Sequence, residues 1–110
     1  MTKTTFKRFK NGNFNLKLNQ DEITEARENP DRTMEIILYN LMDNGLQLIG
    51  SEFFLNDFEM GCYLYDEFFD KGYIFKFNDI QKAIDGKAIK FYSRNISEDD
   101  RIEIEEELNQ

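Results

Sequence analysis

The sequence contains no histidine, no tryptophan and no valine, and its single cysteine is Cys62. Without histidine, the side chain that titrates closest to neutral pH is missing, and no Ser-His or Cys-His nucleophile can be assembled. One cysteine forms neither a disulfide within the chain nor a cysteine-based metal site, and its apolar neighbours favour a buried, unreactive thiol. These absences exclude the commonest forms of nucleophilic catalysis and a disulfide-stabilised scaffold.

Long apolar runs and phosphate-binding glycine motifs are also missing. The apolar runs stop far short of the roughly 20 residues that a membrane helix needs, and residues 1–10 are basic without an apolar signal segment, which predicts a cytoplasmic protein. No G-x-x-x-x-G-K-[ST] or G-x-G-x-x-G pattern occurs. The acidic run 66–70 lacks the ligand spacing of a calcium-binding loop. We therefore expect no metal, no other cofactor and no enzymatic activity.

What is present is charge, and it is arranged in blocks. The formal net charge is −8, yet residues 1–20 contain five bases and no acid. Residues 33–70 contain eight acids and no base, 71–94 contain six bases against two acids, and 98–107 contain seven acids against Arg101 alone. Like charges that cluster repel one another and weaken the compact state. Such blocks indicate that a partner, or an opposite block, compensates the repulsion.

The first half of the chain predicts a hairpin followed by helices. Residues 4–18 alternate apolar and polar side chains about an Asn11-Gly12 turn, which is typical of a β-hairpin with a basic outer face. A short helix is expected from Asn19 to about Asn29, and Pro30 can begin the next helix. That next helix has an apolar stripe and a glycine C-cap: Met34, Ile37, Leu38, Leu41, Met42 and Gly45.

The second half predicts strands, a short helix and an acidic C-terminal helix. "LQLIGSEFF", "YIFKF" and "KAIKFYS" are expected to be strands. Residues 62–69 fit either a strand, in a hairpin turning at Asp70-Lys71-Gly72, or a short helix; the aromatic content favours the strand. Asn78 can cap a helix over "DIQKAIDG", and Ser97 can begin a helix over about 97–108. Together these elements predict a single α+β domain over 1–110, with a mostly antiparallel sheet of about five or six strands and helices packed on one face.

The charge blocks favour a binding function. Carboxylates on a rigid body can present a rough copy of the negative potential of a nucleic-acid backbone, and can thereby occupy the basic surface of a nucleic-acid-handling protein. Aromatic side chains beside those carboxylates are good candidates for interface anchors. The residues expected to bind the partner are Glu52, Asp57, Phe58, Glu59, Tyr63, Tyr65, Asp66, Glu67, Asp70, Glu103 and Glu106.

Two alternatives use the basic hairpin instead. Lys7, Arg8, Lys10 and Lys17 alternate with aromatic residues, which is typical of a small platform for single-stranded nucleic acid, although the net charge makes direct nucleic-acid binding a weaker expectation. The hairpin of one copy can also meet the acidic band of another and form a homo-oligomer. In either case no membrane partner is expected.

In size, acidity and lack of catalytic residues, the chain is similar to small accessory proteins of phages and other mobile elements, including anti-restriction and anti-CRISPR inhibitors. That resemblance implies an inhibitor that acts in the cytosol of a host cell. It is a resemblance of composition and carries no residue role across.

Overall fold

The computed structural model describes the backbone of residues 5–56 and 59–109, and the side chains of those residues except 50–56, 107 and 108. This part of the chain contains six strands and four α-helices. The strands are β1 (Thr5–Arg8), β2 (Phe14–Lys17), β3 (Leu46–Asn56), β4 (Glu59–Asp66), β5 (Lys71–Lys76) and β6 (Ile89–Phe91). The helices are α1 (Gln20–Glu28), α2 (Thr33–Asp43), α3 (Ile80–Ile84) and α4 (Glu98–Leu108), with 3₁₀ turns at Pro30–Arg32 and Phe77–Asp79.

The predicted α+β class and strand count are confirmed, and the six strands are divided between two antiparallel sheets. The first sheet has the order β1-β2-β6 and the second the order β3-β4-β5. The N-terminal hairpin turns where predicted, with Gly12 at a positive φ of 94°. Residues 62–66 follow the favoured strand alternative, because β4 pairs with β5 from Gly61 to Asp66, while 67–69 belong to the turn that follows.

A chain of stacked rings joins the two sheets in one core. Phe14 of β2 stacks on Phe91 of β6 with ring centroids 4.5 Å apart, and Phe91 lies 5.9 Å from Phe75 of β5. Phe14, Phe75 and Phe91 are almost completely buried, and α1 and α2 cover them with Ile23, Ile37 and Leu41. Each buried ring of this size removes a large apolar area from water.

The helix α4 packs on the other face of the second sheet. Residues alternate between the two faces of a strand, so Cys62 and Leu64 of β4 face the main core while Tyr63 and Tyr65 face α4. Ile104 of α4 is 1% exposed and packs with Ile49 and Tyr65. Cys62 is buried, as its apolar neighbours predicted.

Local details differ from prediction at three places. The β4–β5 turn lies at residues 67–70, not at Asp70-Lys71-Gly72, and Asp70 takes the positive φ of 52°. Asn78 caps no helix, because the chain enters α3 through the preceding 3₁₀ turn and neither start has a side-chain cap. Met42, expected in the apolar stripe of α2, is 51% exposed. In contrast, Asn19 caps α1 in a full capping box with Glu22.

Candidate functional site

The residues predicted to bind a partner lie on three elements. Asp57, Phe58 and the side chain of Glu52 lie outside the described residues. Glu59, Tyr63, Tyr65 and Asp66 are on β4, Glu67 and Asp70 are in the turn that follows, and Glu103 and Glu106 are on α4. The described residues of this set divide into buried side chains, side chains paired within the molecule, and exposed carboxylates.

Asp66 is buried and bound to Arg8. Its carboxylate is therefore not available on the surface, although the sequence analysis expected it to bind a partner there. Its side chain is 1% exposed, it accepts a hydrogen bond from the guanidinium of Arg8, and it accepts another from the backbone N–H of Phe68 at 2.9 Å. The Arg8 guanidinium also lies over aromatic rings, 4.8 Å from the centroid of Phe69 and 5.3 Å from that of Phe6. Arg8 thereby joins the N-terminal hairpin to the end of β4.

Tyr65 and Asp70 are likewise engaged inside the molecule. The Arg101 guanidinium donates two hydrogen bonds of 2.8 Å to the Asp70 carboxylate, and the Tyr65 hydroxyl donates a third of 2.8 Å. Arg101 and then Tyr65 lower the pKa of Asp70 from 3.8 to about 2, while burial and the Asp70 carboxylate raise the pKa of Tyr65. Tyr65 is 6% exposed because it faces α4, so it is also not a surface residue. These contacts attach the 67–70 turn to α4.

Tyr63 is half-buried and packs closely over a glycine. A methyl group added to Gly72 would lie 2.6 Å from Cζ of Tyr63, which is far inside van der Waals contact. Burial, and next the nearby Asp100 carboxylate, raise the pKa of Tyr63. Tyr63 therefore contributes mainly to the packing of β4 against β5. Glu59, at the start of β4, is half-buried.

Exposed carboxylates of the predicted set lie on α4 and in the turn attached to it, together with further exposed acids of α4. We call this surface the acidic face: Glu67, Phe68, Glu98, Asp99, Ile102, Glu103, Glu105 and Glu106. Phe68 is 86% exposed next to Glu67, and Ile102 is 57% exposed among the carboxylates of α4. The sequence analysis named Phe58, Tyr63 and Tyr65 as aromatic candidates for the interface and did not identify Phe68. Its place at the tip of a hairpin, next to Glu67, is the signal that could have identified it.

A second charged surface lies between α3 and β6. A groove of about 590 Å³ is lined by five exposed bases, which come from the end of β5, from α3 and from the chain around β6: Lys76, Lys82, Lys87, Lys90 and Arg94. Asp79 is the one carboxylate among the lining residues, and it pairs with Lys82 at 3.2 Å. We call this surface the basic groove. The sequence showed an excess of bases over 71–94 but not that they converge.

The first sheet extends the basic groove on its solvent side. Register places Lys7 opposite Asn15 and Asn15 opposite Lys90, so these three residues form a row across the sheet. A shallow depression of about 230 Å³ next to this row is lined by Phe9, Asn15, Lys90 and Tyr92, among others. Phe9 is 40% exposed and Tyr92 is 67% exposed. Arg8, which the sequence analysis grouped with a nucleic-acid platform, is instead bound to Asp66, and the Phe14 ring is buried in the core.

Over residues 5–56 and 59–109, no group of three or more Cys, Asp or Glu side chains is placed to hold a metal ion. In the same part of the chain, every helix is too short or too polar to cross a membrane. No protein-family model, curated protein or solved structure matches the chain. Arguments about function therefore depend on the geometry and charge of the two surfaces.

Proposed function

We propose that this protein is a small non-enzymatic binding protein whose acidic face occupies the basic surface of a nucleic-acid-handling protein. The observation that supports this most directly is the arrangement of α4, where exposed carboxylates surround an exposed Ile102. A basic surface that normally holds phosphates would be attracted to such a helix, and the apolar side chain would add short-range contact. Inhibition follows if the two ligands compete for the same site.

Helix geometry explains why Ile102 is suited to anchor this contact. Side chains three and four positions apart lie next to each other on a helix, so Glu98, Asp99, Glu105 and Glu106 are its nearest neighbours on α4. Ile104, two positions on, is buried against the second sheet and fixes which side of α4 faces outward. An exposed aliphatic side chain within a ring of carboxylates has no stabilising role in the monomer that we can identify.

The internal pairs support the proposal by making the acidic face rigid. Arg101 holds the Asp70 carboxylate with two hydrogen bonds, so the turn that carries Glu67 and Phe68 is fixed to α4. A preorganised surface loses less conformational entropy on binding than a mobile one. Asp66 and Asp70, expected to contact the partner, would then act by positioning the acidic face.

The size, acidity and lack of catalytic residues are similar to those of inhibitors from phages and mobile elements, which supports a target in the cytosol of a host cell. The test begins with capture of a partner from such a lysate and its purification. We expect the partner to bind labelled DNA or RNA, and we expect this protein to displace that nucleic acid from the partner. The displacement should weaken as the salt concentration rises.

The matched variants are two double charge reversals. Glu103→Lys/Glu106→Lys changes the acidic face, while Glu28→Lys/Asp43→Lys makes the same change in net charge at the ends of α1 and α2. We expect the first to weaken competition by at least about tenfold, and the second to weaken it by less than about threefold, because contact at the face outweighs long-range attraction. Equal loss in both variants, or a partner that binds no nucleic acid, would contradict the proposal. A salt-labile homo-oligomer with no other partner would favour self-association.

A further inference from the structure

The basic groove has no use in the proposed function, and its charge is unusual for this protein. Five bases converge on it, and among the described residues four of them (Lys76, Lys87, Lys90 and Arg94) have no carboxylate within salt-bridge distance. Like charges brought together in this way repel one another, in a chain that has many acids available to separate them. We propose that the basic groove and the neighbouring sheet surface form a binding site for single-stranded nucleic acid.

Aromatic rings beside the groove distinguish this site from a simple anion site. Tyr92 lines both the groove and the shallow depression, and Phe9 also lines the depression. The ammonium group of Lys7 lies 5.3 Å from the centroid of the Phe9 ring. In sequence-tolerant sites for single-stranded nucleic acid, exposed aromatic rings stack on unpaired nucleobases and cationic side chains contact the phosphates.

The segment that carries Tyr92 and Arg94 is held on both sides. The backbone N–H of Ser93 donates to the side-chain oxygen of Asn13 at 2.7 Å, which fixes it to the N-terminal hairpin. Arg94 and Gly72 exchange two backbone hydrogen bonds of 3.0 Å, which fix it to β5 of the second sheet. Tyr92 and Arg94 are exposed on this fixed backbone, so the backbone that carries the ring and the guanidinium needs little ordering before they bind a ligand.

Single-stranded nucleic acid fits these features better than the other anionic ligands. A single phosphate would contact only a part of a groove of about 590 Å³ and would leave the rings without a partner. The acidic face of a second copy offers carboxylates to the lysines and arginine of the groove, but Phe68 is its one exposed ring among the described residues, and a single ring cannot stack on both Tyr92 and Phe9. The net charge of −8 does not prevent binding at the groove, because salt screens charges beyond about 8 Å at physiological ionic strength.

The test is fluorescence anisotropy of labelled single-stranded 12-mers of dT and of rU, titrated with the full chain at several salt concentrations. We expect the wild-type protein to bind both, with affinity falling as salt rises. Lys82→Gln/Lys87→Gln/Lys90→Gln removes three cations and should reduce the slope of log affinity against log salt by about 2. Tyr92→Ala should weaken binding by about tenfold with little change in that slope.

Gln20→Glu/Thr24→Glu is the control for charge, because it makes the chain more acidic at two exposed positions of α1 that do not line the groove. We expect it to bind the 12-mers within about threefold of the wild type. Absence of binding by the folded wild-type protein would overturn the proposal, as would equal losses in the control and groove variants. If light scattering showed a dimer that only the groove variants dissociate, the groove would be an interface between copies. The charge reversals at Glu103 and Glu106 leave the groove intact, so they test the acidic face separately.

Discussion

At the residue scale, two arginines each satisfy a carboxylate that the sequence suggested for a partner. Arg8 binds the buried Asp66, and Arg101 binds the exposed Asp70. The two pairs differ in their consequence for stability, because a buried charge that loses its partner is costly while an exposed one is solvated by water.

The buried pair predicts a large effect of Arg8→Met on folding. This change keeps the side-chain stem against the Phe6 and Phe69 rings but leaves the Asp66 carboxylate without its cation. We expect the free energy of unfolding in urea to fall by about 3 kcal/mol. Lys7→Met, at an exposed position next to Arg8, should cost less than about 1 kcal/mol.

Addition of Asp66→Asn to Arg8→Met should recover part of that loss. Asparagine is uncharged and can still accept the hydrogen bond from the backbone N–H of Phe68. If the double variant were no more stable than Arg8→Met alone, lost packing of Arg8 would be the cause of the destabilisation, and not the unpaired charge.

The exposed pair predicts a dependence on pH. The folded chain keeps Asp70 charged to lower pH than the unfolded chain does, because its pKa falls from 3.8 to about 2. The stabilisation is therefore fully present above about pH 4 and is lost as the pH falls towards 2. We expect Asp70→Asn to be less stable than the wild type at pH 6, and the difference to shrink by pH 2.

Urea unfolding at pH 6, 4, 3 and 2 measures this difference. The control is Asp43→Asn, at the exposed end of α2, which has no ion pair among the described residues. The free energies of unfolding of wild type and Asp70→Asn could differ by the same amount at every pH. That result would show that charge on Asp70 is not what stabilises the turn.

At the element scale, the second sheet depends on close contact between β4 and β5. Tyr63 lies over Gly72, and the same glycine pairs its backbone with Arg94. Gly72 therefore serves packing and not the turn, which explains why the turn lies earlier than its sequence signal predicted. The Tyr63 ring fits against the backbone of residue 72 because glycine has no side chain there, so the contact needs both residues.

This contact predicts strong coupling between positions 63 and 72. Gly72→Ala in the wild type should lower the free energy of unfolding by about 1–3 kcal/mol, because the added methyl group overlaps Tyr63. In a Tyr63→Ala background the same change should cost little. A double-mutant cycle in urea measures the coupling. Equal costs in the two backgrounds would indicate that the strand backbone, and not the Tyr63 ring, resists a side chain at position 72.

At the scale of the whole molecule, opposite charges are segregated onto different surfaces. The acidic face has exposed carboxylates on α4, and the basic groove has bases from three separate elements. Repulsion within each surface lowers stability, and dissolved ions screen it. The two proposed binding functions would each relieve one of these repulsions.

We therefore expect the free energy of unfolding to rise as NaCl increases from about 0.05 to 0.5 M. Glu103→Lys/Glu106→Lys should flatten this rise more than Glu28→Lys/Asp43→Lys does, although both change the net charge equally. Urea titrations at each salt concentration give the comparison. A free energy that fell with salt would mean that the attractive pairs at Asp66 and Asp70 outweigh the repulsion.

The sequence by itself determined most of the elements, because the interactions that specify them are local. The start of α1 near Asn19, the Asn11-Gly12 turn and the stripe of α2 each involve residues within a few positions of one another. The same holds for the start of α4, where Ser97 accepts a hydrogen bond from the backbone N–H of Asp100 at 3.1 Å. Such patterns predict the α+β class and the order of elements.

Only the tertiary structure decided which charged side chains remain free for a partner. Asp66 is buried because Arg8, 58 positions earlier, reaches it, and Asp70 is paired because α4 brings Arg101 across 31 positions. Alternation along β4 predicted two faces but not that α4 covers the second, so Tyr65 was taken for a surface residue. The basic groove likewise forms only where β5, α3 and β6 meet. Periodicity reports which residues share a face, while burial and pairing depend on what packs against that face.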